Sequence, residues 1–248
     1  MIPDGLTPPL VLPDAAALEL LRRGELEVEG RLVDASNATL YCSVSADGVS
    51  AACVYKPVAG ERPLWDFPDG TLAEREVAAY EVSAASGWSI VPPTVYRDGP
   101  AGPGMVQLWI ETDESVDQLR LARRRDSAAL RRIAVFDAVV NNADRKGGHL
   151  LPTASGTVYG VDHGVSFHVE NKLRTVLWQW AGRPIPEHLL DDLIELRAAL
   201  DRGLGERLRE LLTTGEVQRT IRRVDDLLAT GRHPEPSGDW PPVPWPPL

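Results

Sequence analysis

The sequence of 248 residues predicts an α+β fold in which an antiparallel sheet comes first and helices follow. Short segments with the period-two alternation of strands occur up to about residue 112. Segments with the spacing of amphipathic helices dominate afterwards, and prolines become frequent near the C-terminus. We therefore expect an N-terminal lobe over residues 1–112, a C-terminal lobe over 113–232 and a proline- and tryptophan-rich tail over 233–248.

The composition is that of an ordinary soluble globular protein, with 43% hydrophobic and 25% charged residues. No apolar run is long enough to span a membrane, and the proline-broken N-terminus lacks the pattern of a secretory signal. Two cysteines imply no disulfide framework, so we expect a cytoplasmic protein. The formal net charge of −10 argues against non-specific nucleic-acid binding and against broad adhesion to anionic membranes.

A cluster of six arginines departs from this acidic balance. The cluster is either a solvated helix face or a docking patch for an acidic partner or an anionic head group. Its members are Arg120, Arg123, Arg124, Arg125, Arg131 and Arg132.

The N-terminal lobe is expected to begin with a short helix and three strands. Asp14 is a typical N-cap, and Gly24 ends the helix pattern. Asp47-Gly48 is a strong signal for a two-residue hairpin turn. That turn places Cys42 opposite Cys53, either as two free buried thiols or, under oxidation, as a cross-strand disulfide. The predicted ranges are 15–23 for the helix and 26–33, 39–45 and 49–56 for the strands.

Further along the chain, caps and periodicity predict six helices and two more strands. Thr71 and Glu74 form a capping box, and Ser127 caps a later helix. The apolar stripe of that later helix includes Asp137, which either braces the neighbouring loop or is a tethered structural residue. The predicted helices are 71–85, 115–125, 128–141, 187–200, 203–212 and 214–230, and the predicted strands are 89–96 and 104–110, joined by a turn over 97–103.

The most informative stretch runs from Phe136 to His168 and contains two aspartates outside the predicted elements. Asp144 lies in a polar loop, and Asp162 follows the second strand of a hairpin that starts at Leu150. Carboxylates at neighbouring strand ends can converge on one point, as phosphoryl transfer requires. One orients the attacking hydroxyl and takes its proton, and the other holds the metal. The alternative is that both are ordinary turn or cap residues.

These residues resemble motifs of a known family. Asp144-Arg145, followed after three residues by His149, resembles the D-R-x-x-x-N catalytic loop of the kinase branch that contains the phosphatidylinositol 3- and 4-kinases and the HipA-like kinases. Asp162-His163-Gly164 is similar to that branch's D-x-G metal motif. The resemblance covers residues 28–200. It implies a two-lobed protein-kinase-like fold with a sheet and one helix in the N-terminal lobe and a mainly helical C-terminal lobe.

By that resemblance, Asp144 is the catalytic base, and Asn142 and Arg145 order the loop around it. Asp162 and His149 are the expected metal ligands. His149 stands where the family has asparagine. A neutral imidazole can ligate a divalent ion, but magnesium prefers oxygen, so this departure weakens Mg²⁺ binding or favours Mn²⁺.

The same resemblance assigns the nucleotide contacts of the N-terminal lobe. The loop over residues 34–38 covers the phosphates, although it contains no glycine. Lys56 contacts the phosphates and Glu76 holds that lysine, with Glu74 as the reserve choice. The last strand of the lobe leads into a hinge where backbone groups bind adenine. The residues expected at the nucleotide are Ser36, Asn37, Lys56, Glu76 and Glu111.

Together these residues predict an ATP-dependent phosphotransferase that uses Mg²⁺ or Mn²⁺ and acts on a hydroxyl of a protein, a lipid head group or a small molecule. The acidic charge favours a protein or small-molecule acceptor over a membrane lipid. A second hypothesis is a nucleotide-binding pseudokinase without turnover, supported by the glycine-free loop and by His149. A third is a metal hydrolase, whose candidate ligands match no zinc motif in spacing. These candidates are His149, Asp162, His163 and His168.

The proline-rich tail over residues 233–248 is expected to be polyproline-like, neither helical nor sheet-forming. Its Trp240 and Trp245 either dock on the domain or are offered to a partner. We expect docking, because two exposed tryptophans are costly in water.

Overall fold

The computed structural model describes residues 12–32 and 37–248. These residues divide into two compact units. The first contains the described residues up to 73 together with 93–109, and the second contains 74–92 and 110–248. The antiparallel sheet lies in the first unit and most helices lie in the second, so the predicted α+β order is confirmed. The assignment of these parts as a nucleotide-binding and a catalytic lobe stays a prediction.

The first unit is built on a five-stranded sheet in the order β1-β2-β3-β5-β4, in which every neighbouring pair is antiparallel. The predicted hairpin is confirmed, because Asp47 and Gly48 take positive φ angles of 52° and 79° between β2 and β3. The elements are α1 (Asp14–Arg23), β1 (Glu25–Arg31), β2 (Leu40–Ala46), β3 (Val49–Pro57), β4 (Thr94–Gly99) and β5 (Gly102–Leu108).

The core of the first unit lies between α1 and one face of the sheet. Cys42 and Cys53 are paired in register across the hairpin, and both are buried and free, as predicted. Burial raises the pKa of Cys42 to about 11 and that of Cys53 to about 12. Both thiols therefore stay protonated and pack as small apolar groups. The other core residues are Leu20, Leu21, Val44, Tyr55, Val95 and Val106.

The predicted turn over 97–103 was wrong, because both strands continue into that range. β4 and β5 are paired up to Gly99 and Gly102, so only two residues separate the strands. Gly102 has a φ of +95°, which a side chain rarely permits, and this makes the tight turn possible. The start of the predicted strand over 89–96 is not a strand. Pro92 and Pro93 have no N–H to donate to a ladder, and pairing begins after them.

The second unit consists mainly of helices around a two-stranded hairpin. The first helix, α2, begins with two residues of the first unit, where the Glu61 carboxylate accepts from Leu72 N and Ala73 N. No described helix is long and apolar enough to cross a membrane. The elements are α2 (Leu72–Ala85), α3 (Gln118–Ala122), α4 (Ala128–Val140), β6 (Leu150–Pro152), β7 (Val158–Gly160), α5 (Glu187–Leu200), α6 (Gly203–Leu211) and α7 (Thr214–Thr230).

Helix bounds follow the predicted capping residues in most cases. The prediction of Asp14 as an N-cap was wrong, because Asp14 is the first residue of α1 and no described side chain caps this helix. Ser127 Oγ accepts from Leu130 N at the start of α4, and Gly231 closes α7 in a left-handed conformation (φ 59°). The helix predicted over 115–125 is shorter, because Asp117 accepts from Arg120 N and starts α3 later than expected.

Gly104 in β5 is predicted to tolerate no side chain. A Cβ there would lie 2.4 Å from Lys56 O and 2.7 Å from Pro57 Cα, both of them backbone atoms of β3. We expect Gly104→Ala to lower the free energy of unfolding by about 1–3 kcal/mol, since the strands must separate to admit the methyl group. Gly30→Ala in β1 is the matched control, because a Cβ there meets nothing within 4 Å. Urea unfolding measures both, and an equal effect of the two substitutions would contradict the prediction.

Candidate active site

The loop that carries Asp144 starts where α4 ends. Asn141 closes the helix in a left-handed conformation with a φ of 53°, which asparagine tolerates better than most residues. Its side-chain amide donates to His168 O at 2.9 Å and to Glu170 O at 2.6 Å. Asn141 therefore connects the start of the loop to the segment around His168.

Asn142 orients the predicted base. Its Oδ1 accepts from Asp144 N at 2.9 Å, and its Nδ2 donates to Asp137 Oδ1 at 3.2 Å. The Asn142 side chain is buried, so these bonds form away from competing water. The Asp144 side chain is 30% exposed. The loop thus holds the backbone of Asp144 in place while its carboxylate remains accessible to a ligand.

Arg145 forms a buried ion pair with Asp137, and both side chains are fully buried. The distance from Arg145 Nη2 to Asp137 Oδ1 is 2.8 Å, and Nε lies 3.1 Å from Oδ2. Arg145 Nη1 donates to Val161 O at 3.0 Å, and Nη2 lies 2.6 Å from His163 Nε2. Since arginine can only donate, His163 Nε2 accepts and the neutral ring carries its proton on Nδ1. Arg145 therefore orders the loop and joins it to the segment after β7.

Glu76 of α2 contacts the same segment. Its Oε2 accepts from His163 N at 2.8 Å, and the side chain is buried. The neighbouring Arg75 is also buried and donates to Ser166 O at 2.7 Å and to Glu216 Oε1 at 2.6 Å. Two consecutive residues of α2 thus hold the backbone that follows Asp162.

The segment over residues 166–170 is held by its carbonyl groups, and α7 supplies two of the donors. Arg219 Nε donates to Val169 O at 2.8 Å, and Arg223 donates to His168 O. Burial and the like charge of Arg219 lower the pKa of Arg223 to about 10, which leaves the guanidinium charged at neutral pH. Together with Arg75 and Asn141, these side chains fix the path of the segment.

Asp162 follows β7 in a left-handed conformation with a φ of 62°. Its Oδ2 lies 3.3 Å from His149 Nε2, and its side chain is 47% exposed. His149 Nδ1 accepts from Lys146 N at 3.4 Å. A neutral His149 that accepts through Nδ1 carries its proton on Nε2, and this N–H points at Asp162. In this arrangement His149 orients the carboxylate, and the prediction that it ligates metal stays a prediction.

The carboxylate of Asp144 has a pKa above its usual range. Burial is the main cause, and the negative charge of Asp162 raises the pKa further. Lys146, whose Nζ lies 3.1 Å from Asp144 Oδ2, and Arg174 act in the opposite direction. The effect of Asp162 on the pKa of Asp144 indicates that the charges of the two predicted acids interact.

The donor set fits a magnesium or manganese ion that is shared with phosphate groups. Among residues 12–32 and 37–248, no group of three or more His, Cys, Asp or Glu side chains could hold a metal ion. Magnesium in kinase-type sites is held by one or two carboxylates and by substrate phosphates, and does not need a protein cage. Asp162, which is half exposed beside a second carboxylate, satisfies that requirement.

Lys56 and Asn37, two of the predicted nucleotide residues, lie in the first unit. Lys56 lies on β3 opposite Met105 of β5, and Asn37 Oδ1 accepts from Arg62 N at 2.9 Å. Ser36 lies outside the described residues. Glu111 belongs to the second unit, where it is exposed in the segment that follows β5. The pairing of Lys56 with Glu76 stays a prediction.

Three residues that were not predicted from the sequence belong to the site by their contacts. Lys146 pairs with the predicted base, Asn141 anchors the loop, and Arg75 holds the segment after Asp162. Asparagine directly after a helix pattern is a C-cap signal that indicates Asn141. The positions of Lys146 and Arg75 next to predicted site residues are the available signals for the other two.

The fold places this chain among proteins with a protein-kinase-like architecture. Three solved structures share it: the Golgi casein kinase with Mn/ADP bound, the Golgi casein kinase in a second structure, and the Helicobacter pylori proinflammatory kinase CtkA. Their TM-scores are 0.60, 0.55 and 0.51, and their identities to this chain are 13%, 14% and 12%. The matches cover 90%, 88% and 85% of this chain and 80%, 74% and 96% of the respective structures.

The sequence itself matches one curated protein closely. The chain belongs to the family of Protein Rv2133c from Mycobacterium tuberculosis (strain ATCC 25618 / H37Rv). The two are 46% identical over 261 residues, which cover 92% of this chain and 94% of the relative. No protein-family model matches the chain.

The buried ion pair is predicted to support the stability of the second unit. Arg145→Met leaves the Asp137 carboxylate buried without its main cation, so we expect a loss of about 3–5 kcal/mol in the free energy of unfolding. Arg23→Met is the matched control, because Arg23 pairs with Glu19 on the surface. Its loss should be below about 1 kcal/mol. Urea unfolding of both variants tests this, and a loss below about 1 kcal/mol for Arg145→Met would contradict the prediction.

Proposed function

We propose that the protein is an ATP-dependent phosphotransferase that moves the γ-phosphate to a hydroxyl acceptor. The observation that carries the proposal is that Asp144, in the loop before the hairpin of β6 and β7, interacts electrostatically with Asp162, which follows the hairpin, so that the charge of Asp162 raises the pKa of Asp144. The kinase-like fold supports it, and one structural neighbour was solved with Mn/ADP bound.

The two aspartates take different roles because their surroundings differ. Asp144, whose backbone is fixed by Asn142, orients the acceptor hydroxyl and takes its proton. Asp162 is half exposed and turned by its left-handed backbone, and together with substrate phosphates it would hold Mg²⁺ or Mn²⁺. The metal, when bound, neutralises charge on the transferred phosphate.

Lys146 favours the ionised form of the predicted base. Burial and Asp162 both favour the protonated form of Asp144, and the ammonium group at 3.1 Å favours the ionised form that accepts a proton. Asp144 can serve as a base at neutral pH only if this balance leaves its carboxylate charged.

Glu76 is assigned a role in addition to holding Lys56. Its bond to His163 N connects α2 to the metal motif, so the position of α2 affects the orientation of Asp162. Lys56 would contact the nucleotide phosphates from β3. Asn37 and Ser36 would lie at the same phosphates, and Glu111 near the adenine.

The spacing of Asp144, Arg145 and His149 supports the finer proposal of a kinase related to the phosphatidylinositol 3- and 4-kinase and HipA-like branch. The formal net charge of −10 makes a protein or small-molecule hydroxyl the favoured acceptor over a membrane lipid.

A second candidate function is a nucleotide-binding pseudokinase without turnover. One observation favours it: in the neutral tautomer described above, His149 presents an N–H to Asp162 instead of a lone pair to a metal. The two candidates differ in turnover and agree on nucleotide binding.

Metal-dependent nucleotide binding is the first prediction of the proposed function. ATP with Mg²⁺ or Mn²⁺ at about 100 times its Kd should stabilise the native protein by about 2.7 kcal/mol, which thermal unfolding detects. Asp162→Asn should reduce this stabilisation, and Asp226→Asn, an exposed residue of α7, should not. Asp144→Ala should retain binding and lower turnover by about 10²–10⁴-fold. Wild-type protein without any metal-dependent stabilisation at millimolar nucleotide would refute the proposal, whereas binding without turnover for any acceptor would favour the pseudokinase.

The pH dependence of turnover is the second prediction. A base must be ionised, so kcat/KM should fall as the pH falls through the raised pKa of Asp144. Lys146→Met removes a charge that lowers this pKa, and the acidic limb of the profile should therefore move to higher pH. Lys146→Arg keeps the charge and should leave the limb near its wild-type position. An unshifted limb in Lys146→Met would exclude Asp144 as the titrating base.

A further inference from the structure

The proline-rich tail over residues 233–248 contacts the loop of the candidate site through its carbonyl groups. Pro247 O accepts from Gly147 N at 2.8 Å, within the loop that connects Asp144 to His149. Pro242 O accepts from Thr175 N at 3.0 Å. These bonds join the tail directly to the catalytic loop and to the segment beside it.

The segment over residues 174–176 lies between the loop and the tail. On one side, Arg174 N donates to Asn142 O at 2.9 Å, and Arg145 N donates to Arg174 O at 3.1 Å. On the other side, Arg174 Nε donates to Pro241 O at 3.1 Å, and Trp178 Nε1 donates to Pro242 O at 2.7 Å. Residues 174–176 thus bind the catalytic loop, and the tail binds the segment that contains them.

The chemistry of proline suits this role. A polyproline-type chain has no internal hydrogen bonds, so its carbonyls are available to accept from a neighbour. Proline has no N–H that would need a partner, and its fixed φ reduces the entropy lost on docking. Trp240 adds a contact, since Lys172 Nζ lies 4.8 Å from the centre of its ring. The prediction that Trp245 docks is wrong: its side chain is 86% exposed, so burial of this tryptophan does not drive the docking of the tail.

Gly147 links the tail to the metal motif. It begins a short 3₁₀ turn, Gly147–His149, and the last residue of that turn is the histidine that lies 3.3 Å from Asp162. A displacement of Gly147 therefore moves His149 relative to Asp162. The tail bond holds the start of this turn from outside the loop.

We propose that residues 240–248 are a positioning element of the active site, which holds the loop over 144–149 so that His149 orients Asp162 for the metal. This inference rests on the proposed phosphotransferase function. Release of the tail weakens the use of metal and lowers turnover while the fold persists. Gly147 and Trp178 are the positioning residues through which the tail acts.

Gly147→Pro tests the inference by removing the hydrogen bond between Gly147 N and Pro247 O. Proline is accepted at the first position of such a turn, and Lys146 before it is extended (φ −101°, ψ 166°), as a residue preceding proline should be. The substitution removes the N–H and places the ring Cδ on the side of the nitrogen that faces Pro247 O, so the hydrogen bond is lost and the two atoms would clash. Gly147→Ala is the matched variant: it keeps the N–H, and its Cβ would lie 3.4 Å from Leu248 Cδ1, an ordinary contact distance.

Amide hydrogen exchange reports the docking independently of activity. In Gly147→Pro, exchange should become faster around residues 145–150 and at Asp239 and Trp240, and it should stay as in wild type in Gly147→Ala. Unchanged exchange in Gly147→Pro would show that the bond does not hold the loop, which overturns the inference.

Titration of turnover with Mn²⁺ and with Mg²⁺ reports the effect on the site. Gly147→Pro should raise the metal concentration for half-maximal rate by at least about tenfold, in the range found when partners of metal ligands are removed. Trp178→Phe removes the donor to Pro242 and should act in the same direction, whereas Trp245→Phe, on an exposed tryptophan, should not.

The outcomes separate the inference from the proposed function. Wild-type protein without metal-dependent nucleotide binding would overturn both. Binding and turnover in wild type, with equal metal dependence in Gly147→Pro and Trp178→Phe, would overturn the inference alone. Higher turnover in Gly147→Pro would also overturn it, because the tail would then obstruct the acceptor.

Discussion

The buried ion pair between Asp137 and Arg145 is the interaction on which the candidate site depends. Asp137 belongs to α4 and Arg145 to the loop, so the pair fixes the loop against the helix that precedes it. Arg145 also reaches His163, next to Asp162. The guanidinium of Arg145 thus helps to set the positions of both predicted acids. It can do so because its donors are fixed in one plane, and its charge is neutralised by the buried Asp137 carboxylate.

Much of the fold could be predicted because local signals and tertiary packing agree. The Asp47-Gly48 hairpin and the helix that ends at Gly231 follow from turn and cap chemistry that needs no distant partner. The turn between β4 and β5 was predicted too wide on both sides. Several glycines and prolines lie close together there, and only strand pairing decides that Gly99 and Gly102 face each other. The lobe boundary and the roles of the site residues stay predictions.

The candidate site could be predicted in part, again where local sequence signals are sufficient. Asp144 and Asp162 stand in short motifs, so the sequence indicates them directly. The sequence left open whether Asp137 braces the loop or is a tethered structural residue, because the answer depends on the path of the chain after α4. The structure favours bracing through Arg145 and Asn142. Docking of the tail was expected from its tryptophans, but the hydrogen bonds that it forms could not be predicted, since they use main-chain carbonyls of prolines whose side chains give no sign of a partner.

The side-chain hydrogen bonds to the carbonyls of residues 166–170 have a thermodynamic consequence. Arg75, Asn141, Arg219 and Arg223 already order this backbone in the protein alone. A segment that is ordered beforehand has little conformational entropy left to lose when a ligand contacts it. If a ligand contacts this segment, the segment then contributes to the heat-capacity change of binding only through the surface that the ligand covers, and not through coupled folding.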